Sequence, residues 1–130
     1  MNLPDSDAAY LADRGIAHSV VAESGMTCVV LPGWHLPAGY GRESADLLLR
    51  LHPGYPDAPP DMWWFDPGIQ LADGRTIEAT QVTEQHIGRS WQRWSRHLQP
   101  GQWQSGVDGL ESYLALVAQE LTRCADGATS

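Results

Sequence analysis

The residues best suited to chemistry lie between Arg89 and His97, where Arg89, Arg93 and Arg96 fall together in an otherwise acidic chain. Guanidinium groups hold carboxylates and phosphates through paired N–H donors. The chain has 8 Lys+Arg against 16 Asp+Glu, a formal net charge of -8, which argues against nucleic acid because phosphate binding needs clustered positive charge. Three arginines suit an anionic protein tail as well as a phosphate, and the acidic balance favours the protein.

Other chemistries find less support. Cys28 lies in an apolar run with Met26, Val30 and Leu31, where free cysteine serves as a small buried hydrophobe. Cys124 lies near the C-terminus, and no bridge between the two is expected. His18, His35 and His52 show no His-x-x-x-His spacing or paired cysteines, so no metal site is predicted. Asp57, Asp61 and Asp66 surround a proline-rich loop, where carboxylates favour turns and N-caps over paired-carboxylate hydrolysis. Gly39, Gly41, Gly54, Gly68 and Gly74 are scattered singly, not as a phosphate-cradling loop, and no cofactor is expected.

The elements that must position these residues read as follows. An acidic start and a stop at Gly15 predict a helix from Asp5 to Arg14, with Tyr10 and Leu11 inward. Ile16 to Glu23 and Met26 to Trp34 read as strands joined at Ser24-Gly25. In the third strand, Ala45 to His52, Leu47, Leu49 and Leu51 alternate with Asp46, Leu48, Arg50 and His52. It runs into His52-Pro53-Gly54-Tyr55-Pro56-Asp57-Ala58-Pro59-Pro60, where proline forbids a continuing strand or helix. Met62 to Phe65 form a bulky fourth strand, and adjacent Trp63 and Trp64 must point to opposite faces.

Beyond it, Asp73-Gly74 is a turn and Val82 to Leu98 is read as helical in pieces around Gly88, with Trp91 and Trp94 sharing a buried face. The last helix takes Ser105 as N-cap, with Leu110, Tyr113, Leu114, Val117 and Leu121 at helical spacing, ending near Cys124. A single domain over 1–124 fits 130 residues, with 125–130 as a disordered tail. Neither signal peptide nor membrane span is predicted, and cytoplasm is the expected location. The class is α+β, a two-layer fold with helices on one face of an antiparallel sheet.

This order, with Tyr55-Pro56-Asp57-Ala58-Pro59-Pro60 straight after the third strand and a bulky fourth strand behind it, resembles the ubiquitin-conjugating (E2/UBC) superfamily. Gly54 to Phe65 together with Gly88-Arg89-Ser90-Trp91-Gln92-Arg93-Trp94-Ser95-Arg96-His97 is similar to a bacterial E2-like family, prokaryotic E2 family E. The resemblance implies an N-terminal helix, a four-stranded antiparallel meander and C-terminal helices. It also implies a ubiquitin-like modifier and an E1-like activating enzyme resembling ThiF as partners; the charge balance and the lack of a long apolar run predict neither nucleic acid nor membrane.

In that superfamily the nucleophilic cysteine lies eight residues before a tryptophan that leads into a late helix. Trp103 fits the tryptophan, and the count back from it reaches Ser95, not a cysteine. Where the superfamily has His-Pro-Asn the chain reads Gln85-His86-Ile87, with a histidine and no asparagine. The resemblance therefore implies acyl transfer through an oxyester on Ser95, with His97 or His86 as base. Arg89, Arg93, Arg96, Tyr55 and Trp103 are the candidate binding residues. The alternative is a non-catalytic adaptor, since a serine hydroxyl needs an adjacent base where a thiolate does not.

Overall fold

The computed structural model describes residues 3–126. Helix α1 (Asp5–Asp13) opens on Pro4, carries Asp5 and Asp7 in its first turn where carboxylates suit the helix dipole, and stops before Gly15 at φ +64°. Strands β1 (Ser19–Glu23) and β2 (Met26–His35) form a hairpin. Its turn residues, Ser24 and Gly25, both have positive φ, the conformation a two-residue hairpin turn requires. Strand β3 (Ser44–Leu51) and strand β4 (Trp63–Asp66) follow antiparallel.

The next segment departs from the helical reading. Strands β5 (Val82–His86) and β6 (Arg89–Trp94) form a second hairpin, turned at Ile87 (φ 48°) and Gly88 (φ 77°). The period is two, not three to four. Trp91 and Trp94 consequently point to opposite faces rather than sharing one, although both are fully buried. Strand β6 pairs with β4, so the sheet has six strands in the order β1-β2-β3-β4-β6-β5, against the expected four.

Val29, Leu31, Leu47, Leu49, Leu51, Trp63, Phe65 and Trp94 face inward against Leu11 of α1 and against helix α2 (Leu110–Asp126), which contributes Leu110, Tyr113, Leu114, Val117 and Leu121. The opposite sheet face carries a smaller cluster of Cys28, Val30, Leu48, Trp64 and Trp91. Trp63 and Trp64 thus divide between the faces, as their adjacency requires.

Among the described residues α2 is the one helix after the sheet, where several were expected. Its start also differs. Ser105 is not the N-cap: the helix begins at Leu110, after Gly106 at φ +83°, and the Ser105 hydroxyl donates to Asp57. The Leu110 N–H donates instead to Asp7 of α1, at 3.0 Å. The helix includes Ala125 and Asp126, two residues given to a tail by the sequence; 127–130 lie outside the described residues.

Candidate functional site

The proline loop is pinned from both sides. The Tyr55 hydroxyl donates to Asp7 Oδ2 at 2.6 Å, and Trp103 Nε1 donates to the Pro56 carbonyl at 2.8 Å. The two rings pack at 6.1 Å, and Trp103 in turn meets Tyr113 of α2 edge-on. Tyr55 and Trp103, singled out in sequence 48 residues apart, are therefore in contact.

At the loop's end Met62 adopts φ 62°, a left-handed conformation uncommon outside glycine and asparagine. Two hydrogen bonds hold it there: its N–H donates to the Arg96 carbonyl and its carbonyl accepts from the Tyr113 hydroxyl, each at 3.0 Å. This fixes Asp61 beside the segment leaving β6. Asp61 Oδ1 lies 2.7 Å from His97 Nδ1, with both side chains more than half exposed. A carboxylate only accepts, so Nδ1 carries a proton, and in the neutral ring Nε2 is then the nitrogen with the lone pair.

Ser95 leaves β6 with its N–H bonded to Ala79. Its hydroxyl oxygen accepts from Arg93 Nε at 3.1 Å, and no hydrogen bond joins it to His97. His86 is at the other end of the hairpin, paired with Arg89, about 20 Å away at 3.3 Å per residue. It packs edge-on against Trp64 and contacts Glu84 at 3.1 Å. The structure keeps His86 and Ser95 apart.

The arginines do not form one free patch. Arg89 binds Asp46 and Asp66 and lies over Trp91; Arg93 binds Glu84 on the same sheet face; Arg96 lies over Trp94 and binds Glu120 of α2 at 2.7 Å. Burial opposes ionisation of Asp46, yet the Gly33 N–H and Arg89 outweigh it and hold the carboxyl below its usual range. At Glu84, likewise, hydrogen bonds from His86, Trp64 and Arg93 outweigh burial. Hydrogen bonding to Arg123, then to Arg96, outweighs burial and pulls Glu120 down to about 2.

Beneath His97 a groove of about 280 Å³ runs between the chain leaving β6 and helix α2. Trp63, Leu98, Tyr113 and Leu116 give it apolar walls, and Arg96 and Arg123, both paired with Glu120, give it charge. Neither cysteine lines it. Cys28 is fully buried on the opposite sheet face, and burial raises the Cys124 thiol pKa near the end of α2.

A family model, prokaryotic E2 family E, matches residues 3–124. The chain belongs to that family. No curated protein and no solved structure matches it. Membership of this E2-like family gives the chain a general E2-like role and, in general terms, a modifier and an E1-like enzyme to interact with. Among the described residues no helix is long and apolar enough to cross a membrane, and no three His, Cys, Asp or Glu side chains are grouped to hold a metal.

Asp61 is the residue that sequence reasoning gave, with Asp57 and Asp66, to turns and N-caps. It lies 36 positions from His97, and nothing local in the sequence marks Met62 as the kink that brings the two together.

Proposed function

We propose that this member of prokaryotic E2 family E holds the C-terminal tail of a ubiquitin-like modifier delivered by an E1-like enzyme, and presents it to an acceptor without carrying it covalently. One observation carries this reading: the groove beneath His97 has apolar walls and an Arg96–Glu120–Arg123 cluster but no thiol in its lining. A tail carbonyl is matched by the outer edge of Arg123, which with Arg96 already holds Glu120, and its apolar part by Leu98 and Leu116.

A second reading, an oxyester on Ser95, is favoured by that residue's place directly before the groove residues Arg96 and His97. Against it, the Ser95 oxygen accepts from Arg93 and has no histidine in contact to remove its proton. Incubation with the cognate modifier, its activating enzyme and ATP separates the two by intact mass. The expected result is a non-covalent complex without a hydroxylamine-sensitive adduct. An adduct lost in Ser95→Ala and kept in Cys28→Ser overturns it in favour of the oxyester.

A further inference from the structure

The Asp61–His97 pair has a geometry that its contribution to stability does not explain. Both side chains are more than half exposed, and exposed pairs contribute only about 0–1 kcal/mol. Yet the pair is built on a backbone residue held in a left-handed conformation, Met62, whose N–H and carbonyl are both tied down. Such conformations cost on the order of 1–3 kcal/mol in non-glycine residues and persist where the surroundings over-determine them. The Arg96 carbonyl that fixes Met62 immediately precedes His97, so one hydrogen bond registers the two halves of the pair.

The orientation is the one general-base catalysis requires. Nδ1–H is directed to a carboxylate that fixes the tautomer, while Nε2 has no hydrogen bond of its own among the described residues and the ring lines the groove. The charged groups lining the groove beside the ring are Arg96 from its own segment and Glu120 and Arg123 from α2.

We propose that His97, oriented by Asp61, is the general base for aminolysis of a modifier thioester carried by the partner enzyme. The acceptor amine nitrogen attacks the thioester carbonyl, forming the C–N bond. The C–S bond breaks, the sulfur leaves as the partner's thiolate, and the amine proton passes to His97 Nε2. No bond to this chain is made. His97 is the catalytic residue and Asp61 a positioning residue. This rests on the reading of the groove as the tail site.

The test uses the full chain with a short peptide α-thioester ending in glycine, and N-acetyl-lysine amide as acceptor, following amide formation and, separately, peptide binding by calorimetry. The chain is expected to accelerate aminolysis about 10²-fold over the chain-free reaction, the scale of general-base catalysis. His97→Gln abolishes the acceleration while peptide binding stays measurable by calorimetry, and the rate is rescued by added imidazole. Asp61→Asn, whose amide donates to Nδ1 and shifts the proton to Nε2, lowers the saturated rate at unchanged half-saturation, by about tenfold or more. Both variants melt with the parent protein, because the pair is superficial. Full acceleration in His97→Gln, or a chain that binds the peptide without accelerating its aminolysis, overturns the base while leaving the groove reading intact. Absence of peptide binding overturns both.

Discussion

Asp7 and Tyr55, 48 residues apart, meet in a 2.6 Å hydrogen bond where helix α1, the proline loop and the start of α2 converge. The other Asp7 oxygen accepts the Leu110 N–H, and the aspartate is only 4% exposed. Burial, reinforced by Asp7, raises the Tyr55 pKa, so the phenol remains a donor. One buried carboxylate thus registers three segments and, through the loop, the approach of Asp61 to His97.

Asp7→Ala should lower stability by about 2–4 kcal/mol, because it leaves two partly or fully buried donors without an acceptor. Gly109→Ala should destabilise through the same contact, since a β-carbon there would lie 2.7 Å from Asp7 Oδ1. Urea unfolding followed by tryptophan fluorescence reads both as a shift in midpoint, with the slope unchanged.

Trp103→Phe removes the donor to Pro56 while keeping an aromatic ring beside Tyr55 and Tyr113. The expected cost is about 0.5–1.5 kcal/mol. Its local signature is faster hydrogen exchange at the amides of Tyr55 and Ala58 in the proline loop. Unchanged protection there would mean the indole N–H does not hold the loop.

Sequence reading recovered the elements whose pattern is strong and local. Leu47, Leu49 and Leu51 declare β3 by alternation, and Ser24-Gly25 declares its hairpin by turn chemistry. The β5–β6 hairpin was misread because Trp91 and Trp94 are three apart, a spacing that suits a helix face, and both are indeed buried. The sheet buries apolar clusters on both faces, so burial at odd and even positions alike erased the period-two signal. At the site, Tyr55 with Trp103 and His97 with the groove were legible as residues worth naming. Their geometry was not: Asp61–His97 is a long-range contact, and Arg93 binding Ser95 depends on β6 being a strand.

The second hairpin gives a sharper test of that correction. Trp94→Ala should cost about 3–5 kcal/mol, as an inner-core aromatic truncation does, because Trp94 stacks on Trp63 and meets Phe65 edge-on. Trp91→Ala opens the other face, next to Trp64 and Cys28. Faces separated by the sheet share few partners, so the double variant should lose nearly the sum of the two single costs, within about 0.5 kcal/mol. Both measurements need a background stable enough to stay folded, and a large coupling energy would contradict the strand geometry.

Acid stability should show the Glu120 network directly. The Glu120 carboxylate accepts from Arg96 and Arg123, at 2.7 Å each, and sits at about 2, below the ordinary glutamate value of 4.5. A carboxyl depressed on folding stabilises the protein above its unfolded pKa, and that contribution is lost as pH falls towards the folded value. The loss therefore falls between about pH 4.5 and pH 2. Asp46 and Glu84 are depressed as well and titrate on the same acid limb, so the parent profile alone does not isolate Glu120. Glu120→Gln does: at neutral pH it should be less stable by about 1–2 kcal/mol, and the gap to the parent should close as the pH is lowered through that window. Denaturant midpoints measured for both proteins across it would show the convergence. A constant gap would mean that packing of the side chain against Arg96, not its charge, supplies the stabilisation.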